Sequence, residues 1–143
     1  MDGRSVGPGE VRLADKARLT LRVDLGPDRQ IGPGKIRLLE AIRDKGSISQ
    51  GGALLGMSYR RAWLLVDDMN QCFREPVVAA QTGGAHGGGA ALTPFGAKLI
   101  ALYRAIESEA HAATGRQLKA LQAALRASSA AARKPKVPTH AAR

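Results

Sequence analysis

Aromatic side chains are scarce in this sequence, at 3% of residues, and cysteine occurs once, at Cys72. The first shortage leaves any core to be built from Leu, Ile, Val and Ala. The second excludes an internal disulfide and a cysteine-based zinc site, and it fits a reducing compartment. No stretch reaches the ~18 consecutive apolar residues of a membrane span. Residues 1–11, interrupted by Asp2 and Glu10, hold no apolar run of the kind a secretory leader needs. Acidic residues are also in deficit: 12 Asp and Glu stand against 22 Lys and Arg, for a formal charge of +10. Such an excess points to a polyanionic partner, nucleic acid first and an anionic membrane surface second. With 143 residues, 44% of them hydrophobic, the chain has room for one domain with a core and loose ends. The expectation is a soluble cytoplasmic protein.

What is present is a series of short, well-punctuated elements. Residues 1–17 read as a flexible lead-in rich in Gly and charge. From 18 to 25, Leu19, Leu21, Val23 and Leu25 alternate with polar residues, as on a half-buried strand, and Gly26-Pro27-Asp28 turns the chain. Gly32-Pro33-Gly34 opens a helix to about Lys45, with Ile36, Leu39 and Ile42 on one side. Ser47 caps a short second helix that Gly56 ends, with Gln50 at the capping-box position. Ser58 caps a third helix to about Arg74, whose stripe of Ala62, Leu65, Val66, Met69, Cys72 and Phe73 marks one helical face. Two short apolar runs, 77–82 and 90–93, flank a glycine loop and predict a hairpin. Thr93-Pro94 starts a long helix carrying Leu99, Leu102, Tyr103 and Ile106, interrupted at Thr114-Gly115 and resumed by Leu118, Leu121 and Leu125. Residues 127–143 read as a disordered basic tail.

The expected fold is therefore mainly α with a small β hairpin, a winged helix-turn-helix occupying 18–126 with a long carboxy-terminal dimerisation helix. In that motif the second helix of the pair enters the major groove with its first turns against the bases. Here those turns are Ser58, Tyr59, Arg60 and Arg61. Arg bonds guanine edges or phosphate, whereas Ser and Tyr donate to phosphate. Ser47, Ser49 and Gln50 start the preceding helix, where free backbone donors suit a phosphate. Trp63, four residues beyond Tyr59, is either a flank of the core or a base contact. Asp67 and Asp68 disfavour duplex along the later turns.

Two signatures carry a family resemblance: Gly46-Ser47-Ile48-Ser49-Gln50-Gly51, and Ser58-Tyr59-Arg60-Arg61-Ala62-Trp63 followed by Met69-Asn70. Together with Thr82-Gly83-Gly84, Gly87-Gly88-Gly89, Ala91-Leu92-Thr93 and Phe95-Gly96, the stretch from Leu19 to Glu109 resembles the DNA-binding domain of ModE-type molybdate-responsive regulators. It is similar also to LysR-type regulators, which lack this glycine-rich wing. The resemblance implies a homodimeric transcriptional regulator of molybdenum-related genes that binds double-stranded DNA. Its wing would use Thr82, Gly83, Gly84, His86, Gly87 and Gly88, and its dimer contacts would come from Leu99, Leu102, Tyr103 and Ile106. The residues after Arg126 do not supply a molybdate-binding domain, so ligand sensing is not carried over and no effector is named.

No enzyme, cofactor or metal site is expected. His86, His111 and His140 lie far apart, and Gly32-Pro33-Gly34-Lys35 has Ile36 where a phosphate loop needs Ser or Thr. Two other readings stand beside DNA binding. One is a winged-helix interaction or dimerisation module with little specific DNA affinity. The other is oxyanion binding by the backbone of residues 83–89.

Overall fold

The computed structural model describes residues 16–81 and 89–127. The lead-in over 1–15, the wing residues Thr82, Gly83, Gly84, His86, Gly87 and Gly88, and the tail from 128 lie outside the described residues. The chain divides into two compact units. One is Leu19–Ala113; the other holds the described residues 16–18 and 114–127.

The larger unit opens with β1 (Val23–Gly26) and β2 (Arg29–Ile31), an antiparallel hairpin pairing Val23 with Ile31 and Asp24 with Gln30. The ladder is thus shorter and later than the strand expected over 18–25, and it has a partner that the sequence did not announce. Alternation at Leu19 and Leu21 serves another purpose. The Leu19 N–H donates to His111 Nε2 at 3.2 Å, and the Leu21 carbonyl accepts from the Tyr103 hydroxyl. Backbone groups that a neighbouring strand would have taken are satisfied by side chains instead.

Helix α1 (Pro33–Lys45) begins with Pro where a missing N–H costs nothing. It buries Ile36, Leu38, Leu39 and Ile42 completely. Gly46, at φ 78°, closes it by donating its N–H to the Ile42 carbonyl, a left-handed cap that glycine adopts without strain. Ser47 then caps α2 (Ile48–Leu54), its Oγ accepting from the Gln50 N–H at 3.0 Å. Gly56, at φ 75°, makes the turn into α3 (Tyr59–Cys72), where Ser58 Oγ accepts from the Arg61 N–H at 3.1 Å. Helix α2 lies close to both neighbours. A Cβ on Gly51 would stand 2.9 Å from the Ile42 nitrogen, and one on Gly52 would stand 2.6 Å from the Ala62 Cβ.

Strands β3 (Val78–Gln81) and β4 (Gly89–Leu92) form the second antiparallel hairpin, in register from Val78–Leu92 to Gln81–Gly89. Three hydrogen bonds anchor its base. The Val77 N–H donates to Asn70 Oδ1 at 2.7 Å, Ala90 N–H to the Gly46 carbonyl at 3.0 Å, and Thr93 N–H to the Val77 carbonyl at 3.0 Å. Thr93 Oγ1 also accepts from Gly96 N–H and donates to the Pro76 carbonyl, so it caps α4 (Pro94–Ala113) and ties that helix to the start of the hairpin. Helix α4 sends Leu99, Ile100 and Tyr103 into the core formed by α1, α3 and the hairpin. Arg104 clamps Glu40 of α1 with two hydrogen bonds, at 2.8 and 3.0 Å, and Glu107 with a third. Helix, helix, helix, hairpin, helix in this order is the arrangement of a winged helix.

The expected break at Thr114-Gly115 is where α4 stops. In the smaller unit, α5 (Gly115–Ala123) has no buried residue, and Gln122 Oε1 accepts from the Ala17 N–H.

Candidate nucleic-acid interface

The inner face of α3 is Ala62, Val66 and Met69, all buried. That choice dictates where the other side chains go. Arg61, Leu65 and Asp68 fall on the flank toward the start of α1, where Lys35 Nζ meets Asp68 at 2.7 Å and also donates to the Gln30 carbonyl. Tyr59, Trp63 and Asn70 fall on the flank toward the second hairpin. Arg60, Leu64, Asp67 and Gln71 lie on the crest facing away from the core; Asp67 is half-buried and the other three are exposed. None of the described residues pairs with Arg60 or Arg61, so both guanidinium groups are available to an external anion. The Ser58 cap rigidifies the turn that carries them, worth about 1 kcal/mol of helix stability.

An open cleft of about 420 Å³ runs between α3 and the second hairpin. Tyr59, Trp63 and Asp67 line one wall, Ile48 and Ser49 one end, and Ala80, Gln81 and Gly89 the opposite wall. Trp63 is 45% exposed and lines the cleft together with Val66 and Val78. The structure thus brings Ser49 of α2 and Tyr59 and Trp63 of α3, singled out separately from sequence, onto one cleft beside Gln81 and Gly89 of the hairpin. Ser49, Gln50, Ser58, Tyr59, Arg60 and Arg61 are exposed and Ser47 is half-buried. The hydroxyl oxygens of Ser47 and Ser58 are occupied as caps, which leaves each hydroxyl hydrogen free to donate outward.

Charge along α3 is graded. Its first turn is cationic through Arg60 and Arg61, and its third is anionic through Asp67 and Asp68, the latter held by Lys35. A duplex would therefore be met by the start of the helix. The groups with displaced protonation lie elsewhere. Burial, then the Glu107 carboxylate, pushes the Tyr103 phenol up, and the hydrogen bonds to Glu40 and Glu107 hold Arg104 firmly charged. Among the described residues no three His, Cys, Asp or Glu side chains converge as metal ligands, and no helix is long and apolar enough to cross a membrane.

The four residues expected at a dimer contact separate into two pairs. Leu99 and Tyr103 are 7% and 2% exposed and belong to the chain's own core, whereas Leu102 and Ile106 are about half exposed. Two residues that shape this surface, Asn70 of the Met69-Asn70 signature and Leu64, were given no role from sequence. Asn70 fastens α3 to the hairpin through Val77, and nothing short of the fold reveals that pairing. Leu64 was legible: it falls outside the apolar stripe, two positions from both Ala62 and Val66.

No family model matches the chain. Nine curated relatives do, among them the following three. The molybdenum transport protein ModE of Azotobacter vinelandii is 41% identical over 100 residues, covering 70% of this chain and 36% of its own length. The molybdenum-pterin-binding protein MopB of Rhodobacter capsulatus is 53% identical over 70 residues, 49% of this chain and 26% of its own. The transcriptional regulator ModE of Yersinia pestis is 51% identical over 65 residues, 46% of this chain and 25% of its own. The match thus spans about a quarter to a third of the length of these relatives.

Proposed function

We propose that this homologue of the ModE-type regulators is a sequence-selective DNA-binding protein that controls transcription, and not an enzyme. The observation that carries the proposal is the free, capped opening turn of α3, with Arg60 and Arg61 unpaired among the described residues on the second helix of a helix-turn-helix. Arg60, on the crest, is placed for a guanine edge. Arg61, Tyr59, Ser47, Ser49 and Gln50 surround it at positions suited to phosphate. Residues 82–88 are assigned to the wing, and 18–126 to the DNA-binding and dimerising stretch of a cytoplasmic homodimer. Leu102 and Ile106 supply the exposed apolar part of α4 for that dimer. The relatives' names tie them to molybdenum, and genes of molybdenum metabolism are the proposed targets; no side chain described here is assigned to a molybdate ligand.

The test is binding of the full chain to duplex DNA across a range of salt. Each phosphate neutralised lowers the slope of log K against log salt by about 0.9. Arg60→Ala should cost ~1–3 kcal/mol on the preferred duplex and flatten preference at one base pair. Arg61→Ala should weaken all duplexes alike and reduce the slope by about one contact. Absence of binding to any duplex at low salt would defeat the proposal and leave a winged-helix interaction module.

A further inference from the structure

Leu64 is an exposed leucine on a helix that has an inner face available for leucines. It is 46% exposed, while Ala62 and Val66, two residues to either side, are 0% and 4% exposed. A two-residue step is about 200° of helix rotation, so Leu64 points nearly opposite to both. It is absent from the hydrophobic residues packed against the core and from the walls of the cleft beside α3. Its neighbours one turn away are Arg60 and Arg61 toward the start of the helix and Asp67 and Asp68 toward its end, and Gln71 lies two turns on. Close to half of this apolar side chain thus meets solvent in the free protein.

If the crest enters a major groove, as the proposed function has it, the base edges there present hydrogen-bond donors and acceptors and one kind of apolar group, the 5-methyl of thymine. We infer that Leu64 is a specificity-determining residue that packs on a thymine methyl and selects a T·A pair at one position of the preferred duplex. Four residues along α3 are about 6 Å. With 3.4 Å between bases on a strand, that distance places the thymine about two base steps from the guanine assigned to Arg60. The pair reads two chemistries from one helix face: a bidentate cation at one step, a methyl contact at the other.

The inference rests on the DNA-binding reading, and the experiment separates the two. The full chain is used to select its preferred duplex from random sequence. Each thymine of the enriched site is then replaced by deoxyuridine, which removes the methyl and leaves base pairing intact. Expected is one thymine, about two steps from the pair that depends on Arg60, where loss of the methyl weakens binding about fourfold, as for one buried methyl-sized group. In Leu64→Ala, whose fold is checked by its unfolding midpoint, the same replacement should change affinity less than twofold. An enriched duplex indifferent to every methyl overturns the role of Leu64 alone, as does a methyl effect that persists undiminished in Leu64→Ala. A selection that enriches nothing overturns the DNA-binding reading and this inference with it.

Discussion

Replacing Gly52 by Ala sets two effects of opposite sign against each other. Glycine inside a helix costs roughly 0.5–1 kcal/mol relative to alanine, so propensity alone predicts stabilisation. Packing opposes it. The new Cβ would stand 2.6 Å from the Ala62 Cβ, about 1 Å inside the 3.5–4.0 Å at which carbon atoms attract. Both atoms sit on helix backbones and neither can rotate away, so α2 and α3 must separate. Overpacking of this sort costs typically ~1–3 kcal/mol, and the net expectation is a loss of about 1–2 kcal/mol. Gly34→Ala is the control. It is also helical, has nothing within 4 Å of its built Cβ, and should gain about 0.4–1 kcal/mol. Urea unfolding measures both. With a slope of ~1–3 kcal/mol per molar, the Gly52 variant should melt roughly half to one molar earlier than the parent at equal slope. Ala62→Gly in the same molecule removes the colliding atom, so the double variant should be more stable than the sum of the singles by at least ~0.5 kcal/mol. The reasoning fails if Gly52→Ala stabilises as Gly34→Ala does, or if the pair is additive.

Three further outcomes follow from contacts on α3 and α4. Asn70→Ala leaves the fully buried Val77 N–H without its acceptor and should cost about 1–3 kcal/mol, with faster hydrogen exchange at Val77; unchanged protection there would show that the bond is dispensable. Tyr103 has a folded pKa above its ordinary value of 10.0, so folding favours the neutral phenol. Its contribution is complete below about pH 10 and is lost as pH rises through the raised value. Tyr103→Phe should lose about 1 kcal/mol at neutral pH and abolish that part of the alkaline decline, which a stability-versus-pH series reads directly. For the proposed dimer, Leu102→Glu with Ile106→Glu should halve the mass in sedimentation while the folded helical signal stays, since both side chains are exposed in the single chain; an unchanged mass would remove this face of α4 from the interface.

Periodicity and caps made most of the fold legible. Ser47, Ser58 and Thr93 each start a helix for the reason their hydroxyls suggest, and Gly46 and Gly56 each close a turn. The alternation over 18–25 misled because it reports which side chains are half-buried, not which backbone groups are paired. Leu19 and Leu21 are held by His111 and Tyr103, more than 80 residues away in sequence. The three residues of β2, two of them polar, carry no signal of their own. Leu99 and Tyr103 show a further limit: a stripe on a terminal helix demands cover, yet it does not say whether the cover is the same chain or another. The close approaches at Gly51, Gly52 and Gly96 are tertiary facts, visible only once the opposing backbone is in place.

Three sides of α3 are committed to the molecule's own integrity: one to the core, one to Lys35 through Asp68, and one to the hairpin through Asn70. On the remaining side, Arg60, Leu64 and Gln71 are exposed and make no hydrogen bond or ion pair through their side chains to the described residues. Substitutions there are released from the demands of folding, so under the proposed function a change of preferred duplex would leave the scaffold as it is. What the helix contacts outside the molecule and what holds the molecule together are thereby separable inheritances of fourteen residues.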